Sequence, residues 1–125
     1  MTQQSHKEAA ISFLRLVAAG KVREAFDAHA GPDFRHHNPE FRGDANSIAA
    51  GMEASAAQHP NMVLDVRHVF EEGDRVAVHS RVRLVPEGPD IAVVHIFRFA
   101  HDRVVELWDI AQQAPADSPN ENGMF

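Results

Sequence analysis

Apolar residues recur with a helical period over roughly the first 60 positions and with a period of two thereafter. Ala10, Phe13, Leu14 and Val17 fall at i, i+3, i+4 and i+7, behind a Ser5/Glu8 capping box and ahead of Gly20, and predict an amphipathic helix. Val22, Ala25, Phe26 and His29 form a shorter stripe that stops at Gly31 and Pro32, with His29 on its apolar side. Asp44 is placed to cap a third helix carrying Ile48, Ala49, Met52 and Ala56 and ending at His59 and Pro60. Between the second and third helices the run FRHHNPEFRG reads as irregular and polar.

From Met62 the period changes. Segments 62–71, 75–85, 91–100 and 103–112 are rich in Val, Ile and Phe, and the short stretches between them hold turn-forming residues. Four strands in succession predict an antiparallel meander, and with the helices placed first the fold class is α+β, the helices packed on one face of a curved four-stranded sheet. Residues 114–125, with Pro, Asn and Gly and little apolar content, read as a flexible tail. The 125 residues suit one domain, 1–125.

Composition narrows the chemistry. No Cys excludes disulfides, Cys-ligated metal and a thiol nucleophile, and no Tyr excludes a phenol as proton donor. A formal net charge of -6, from 12 Lys and Arg against 18 Asp and Glu, argues against a nucleic-acid partner. No apolar run approaches the ~20 residues needed to span a bilayer, and MTQQSHKEAA lacks the regions of a signal peptide, so a cytoplasmic protein without a membrane partner is expected. Nine His leave acid, base and ligand roles open.

In the last strand, alternation puts Val105, Leu107, Asp109 and Ala111 on one face and Val104, Glu106, Trp108, Ile110 and Gln112 on the other. Asp109 is the one ionisable group on its face, a position where desolvation raises a carboxylate toward proton-shuttling range. The alternative is an Asp109 paired with Arg98 or Arg81. A three-residue turn, His101-Asp102-Arg103, sets His95 directly across from Asp109, with Val93, Phe97 and Phe99 sharing its face; a two-residue turn removes the pair. His79, Arg81 and Arg83 share a face of the second strand, whereas His6, His59, His68 and His101 converge with nothing. His36, His37, His95 and Asp109 could be drawn as a metal site, but no H-x-H or H-x-x-x-H spacing supports it and no metal is expected.

The paired signature H-N-P, at His37-Asn38-Pro39, and R-V-V-E-x-W-D-x-x-Q, at 103–112, resembles the SnoaL-like polyketide cyclases of the NTF2-like (cystatin-like) cone fold, in particular those described as predicted aldol-condensation-catalysing enzymes. The resemblance spans roughly residues 7–113 and implies Asp109 as general acid/base, His95 as its companion, and His37 and Asn38 lining a pocket entrance, with His36 where Gln is common. Leu107 stands where the family often has His, and Gln112 matches the family's closing Gln, although alternation faces it away from Asp109 unless the strand carries a bulge. Phe97, Leu107 and Gln112 join His36, His37 and Asn38 as candidate substrate contacts. The function implied is cofactor-independent aldol condensation, cyclisation or isomerisation of a hydrophobic carbonyl-containing small molecule, by a homodimer paired through its sheets. A ketosteroid-isomerase-type site is disfavoured by the missing Tyr. The alternatives are a non-catalytic ligand-binding module and epoxide hydrolysis by Asp109, Arg98 or Arg81, and Asp65.

Overall fold

The computed structural model of the chain describes residues 5–125. Its order is α1 (His6–Ala18), α2 (Val22–His29), β1 (Ala30–His36), α3 (Ala45–Gln58), β2 (Val63–Glu72), β3 (Arg75–Arg83), β4 (Ile91–Ala100) and β5 (Arg103–Gln113). α1 and α3 each start at a side-chain cap, whereas α2 follows Lys21 with none. The Ser5 hydroxyl accepts from Glu8 N while the Glu8 carboxylate accepts from Ser5 N, and Asp44 accepts from Ser47 N at 2.9 Å. Gly20, at φ 81°, ends α1 in the left-handed region that costs glycine little.

The helices lie on one face of a single sheet of order β1-β5-β4-β3-β2, with α1 against α2 and across β2 and β3. Phe97 of β4, Phe13 of α1, Phe26 of α2 and Phe34 of β1 interlock edge to face at centroid distances of 5.8, 5.1 and 5.3 Å, and with Ile48, Val76, Val78, Val104 and Leu107 they form the core.

The four expected strands form the meander, and a fifth stands outside it. β1 pairs parallel with β5, matching Arg35 to Glu106 and His36 to Leu107, so part of the stretch expected to be irregular is an edge strand. Gly31 and Pro32, which correctly mark the end of α2, also hid it. Gly31 is there for clearance: a Cβ would come within 3.3 Å of Arg103 Cβ and Val105 Cγ1.

The β4–β5 hairpin corrects the expected turn while keeping its consequence. Ala100 pairs with Arg103 across a two-residue turn, His101 and Asp102, whose φ values of 52° and 62° mark the type I′ geometry favoured in tight hairpins. That turn alone would put His95 and Asp109 out of register. A bulge at Val105, where Phe99 pairs with Val104 but Arg98 pairs with Glu106, supplies the extra residue and restores the pairing of His95 with Asp109. It also brings Val104, expected outside, into the core with no exposed surface, and leaves Val105 half-buried.

A candidate acid/base site in an apolar cavity

At the end of the sheet away from the phenylalanine cluster, the helices stand clear of the strands and leave a cavity of about 300 Å³. Leu14, Val17 and Ala18 of α1, Met52 and Ser55 of α3, and Leu64, Val82, Ile91, Val93 and Ala111 from the strands line it. Among the described residues, His95 and Asp109 are the ionisable side chains in this wall. No Arg neutralises the carboxylate from within: Arg98 donates to Glu106 at 3.0 Å and Arg81 to Asp90 at 2.9 Å.

Burial pushes the His95 imidazole down to about 4, and the facing Asp109 charge only partly offsets it. His95 is therefore neutral near pH 7, able to donate from one ring nitrogen. Its Nδ1 is sealed from solvent without a hydrogen-bond partner, so the ring edge that borders the cavity is the Nε2 edge.

Asp109 also borders an open cleft of about 530 Å³ formed with His37, Asn38, Pro39, Glu40 and Ile110. The edge strand explains why Asn38 arrives there. With His36 beside Leu107 in parallel register, the chain two residues on reaches the level of Asp109, and Asn38 Nδ2 donates to Asp109 Oδ2 at 2.9 Å. The amide is held from behind, because Asn38 Oδ1 accepts from Glu40 N at 2.8 Å and Asn38 N donates to His36 Nδ1 at 3.1 Å. His36 itself is buried, with Nε2 at 2.6 Å from Arg42 O, and acts on the loop rather than on the cavity.

His37 turns to the outer face of the sheet. Its Nε2 lies 2.6 Å from Glu106 Oε2 and its ring stacks on Trp108 at 5.1 Å. Glu106, 5 % exposed, also accepts from Arg35 and Arg98, and it is lowered to about 2 because these hydrogen bonds, that of His37 foremost, outweigh burial. Sequence reading missed this cluster, since it placed Glu106 outward without finding its partners.

The remaining expected contacts lie elsewhere. Phe97 and Leu107, at 0 % and 1 % exposed, are core residues and do not line the cavity. Gln112 pairs with Ala92 and faces an outer cleft beneath residues 115–124, because the bulge precedes Asp109 and alternation from there to Gln112 is regular. The epoxide-hydrolase triad does not assemble: Asp65 pairs with Arg67 at 3.1 Å, and Arg81 and Arg98 are held by Asp90 and Glu106. His36 and His37 are tied to Arg42 and Glu106, and no group of three or more metal-ligating side chains is found among the described residues. His68, expected to be isolated, is paired across β2 and β3 with His79, Nδ1 to Nδ1 at 2.9 Å. The cavity-lining Leu14 and Met52 carried no signal in sequence beyond helical apolarity, and Ser55 carried none.

Helices backing one face of a sheet around a mainly apolar cavity define an NTF2-like fold, and solved structures share it. AclR of Streptomyces galilaeus, provisionally assigned as a hydroxylase, superposes with a TM-score of 0.74 at 22 % identity over 88 % of this chain and 80 % of its own. IdmH of Streptomyces antibioticus, provisionally assigned as a polyketide cyclase, gives 0.71 at 20 % identity over 87 % and 93 %. An NTF2-like protein of unknown function from Cytophaga hutchinsonii gives 0.72 at 17 % identity over 89 % and 93 %. No curated protein matches the sequence. The chain belongs to the SnoaL-like domain family, whose model matches residues 10–107.

Proposed function

We propose that the protein catalyses cofactor-independent proton-transfer chemistry on a small carbonyl compound, as aldol condensation, cyclisation or isomerisation. The observation that carries this reading is that Asp109 stands directly across the β4–β5 ladder from a neutral His95, in a mainly apolar wall. The Asp109 carboxylate takes a proton α to the carbonyl. The C–H electron pair moves into a C=C bond, and the carbonyl oxygen, now an oxyanion, accepts from His95 Nε2–H. In an aldol step the α-carbon then attacks a second carbonyl and the new alkoxide takes the proton back from Asp109; in isomerisation the proton returns at another carbon. Asn38 holds the Asp109 carboxylate at one oxygen and leaves the other to the substrate.

A volume near 300 Å³ is at the lower end of the roughly 300–1,000 Å³ range of small-molecule sites. Without Lys or Arg in its wall, the cavity favours a neutral ligand. AclR and IdmH, provisionally assigned to different reactions, illustrate that one fold hosts several chemistries, so the reading rests on the site. The protein is expected to exchange the α-protons of a neutral one- or two-ring ketone with deuterium oxide, followed by proton NMR. A panel of such ketones showing no exchange above the buffer rate would overturn the reading.

On the outer sheet face Ile110 is 61 % and Phe70 67 % exposed, with Trp108 between His37 and the Arg75 guanidinium. Such apolar bulk among polar groups supports pairing of two copies through their sheets. No helix is long and apolar enough to cross a membrane among the described residues.

A further inference from the structure

Two buried side-chain atoms lack a hydrogen-bond partner among the described residues, and they belong to neighbours: Ser80 Oγ and His95 Nδ1. Interiors rarely leave such atoms unpaired. β3 and β4 run antiparallel with Ser80 opposite Val93 and Val78 opposite His95, so Ser80 and His95 are diagonal on the same inward face. A hydroxyl and an imidazole are long enough to bridge the diagonal spacing of roughly 7–8 Å between such residues, either after rotation about the Ser80 Cα–Cβ bond or through one shared water.

The inward residues of β3 read Val76, Val78, Ser80, Val82, a valine series broken once, and Ser80 faces Val66 on its other side. Ser80 has no exposed surface, so its hydroxyl is closed off from a ligand in the cavity. With the ring proton on the cavity edge, His95 Nδ1 is an acceptor in need of a donor, and Ser80 can supply it.

We propose that Ser80 is a positioning residue whose hydroxyl donates to His95 Nδ1, directly or through one buried water, and thereby keeps the ring proton on Nε2, pointed at the substrate. This rests on the reading of His95 as the oxyanion donor and adds what sets its proton. It parallels the outer partners that fix the tautomer of other functional histidines.

The test is long-range proton–nitrogen NMR of the labelled protein at pH 7, which distinguishes the two tautomers. His95 in the wild type is expected to carry its proton on Nε2. Ser80→Ala is expected to shift the tautomer ratio about five-fold toward Nδ1–H, the scale of one lost hydrogen bond, and to slow ketone exchange by a similar factor. Ser80→Thr, which keeps the hydroxyl, restores both. A wild-type His95 protonated on Nδ1 overturns the proposal whether or not the variants fold, and so does a Ser80→Ala ratio equal to wild type in a folded protein. If instead Asp109→Asn retains exchange activity, the catalytic reading fails while the tautomer result still decides the role of Ser80.

Discussion

Replacing Asp109 by Asn is expected to lower ketone α-proton exchange about a thousandfold, within the range general acid–base groups contribute, while leaving the protein folded. The two outcomes separate because of what surrounds the residue. Asparagine has nearly the shape of aspartate, and its side-chain oxygen can accept the hydrogen bond that Asn38 Nδ2 now gives to Asp109 Oδ2. No Arg or Lys depends on the Asp109 charge, since Arg98 and Arg81 are bound elsewhere, so its removal strands no cation. Thermal unfolding should therefore move by only a few degrees, and a ketone that fits the cavity should bind within about five-fold of wild type, a difference near 1 kcal/mol. Exchange in the variant at the wild-type rate would rule out Asp109 as the base. A ligand that still bound in the cavity would then favour a binding module.

How far the site could be read beforehand turns on the β4–β5 hairpin. Alternation of Val, Leu and Ile against charged residues suffices to identify both strands and to set Asp109 on a face with Leu107. It does not fix register. His101-Asp102-Arg103 reads as well for a three-residue turn as for the two-residue turn observed, and neither His101 nor Asp102 is the glycine that would announce a positive φ. The offset is absorbed by Val105, whose β-branched side chain suits a strand whether or not a bulge falls there. The expected pairing of His95 with Asp109 was thus reached by a turn one residue too long and realised by a bulge one residue wide.

Other parts were hidden for different reasons. β1 is short, carries Gly31-Pro32 right after its first residue and is held through its parallel partner β5, a non-local contact that no periodicity within residues 30–36 displays. Yet this strand brings Asn38 to Asp109. The motif H-N-P marked the right segment, but its first residue serves Glu106 on the far face of the sheet and its second serves the carboxylate. Ser80 is a hydroxyl in the inward valine series of β3. Without knowing that β4 sets His95 diagonally beside it, nothing distinguishes it from an ordinary strand serine.

Stability should fall in acid through two groups that lie on opposite faces of the sheet. His95, at about 4 when folded against 6.5 when free, takes up its proton more readily in the unfolded chain, so stability present above pH 6.5 is lost as pH falls toward 4. Glu106, at about 2 against 4.5, follows the same sign lower down: its contribution is complete above pH 4.5 and is lost as pH falls toward 2. Glu106→Gln should remove the second limb and leave the first. At pH 7 it should also cost about 2 kcal/mol, because Arg35, Arg98 and His37 lose their shared anion while the substituted amide keeps a single acceptor oxygen. Urea unfolding between pH 7 and pH 3 measures both effects. Equal stability of wild type and Glu106→Gln across that range would show that the cluster contributes nothing, whereas a stability difference that narrows below pH 4.5 identifies Glu106 as the anion that ties β1 and β4 to β5.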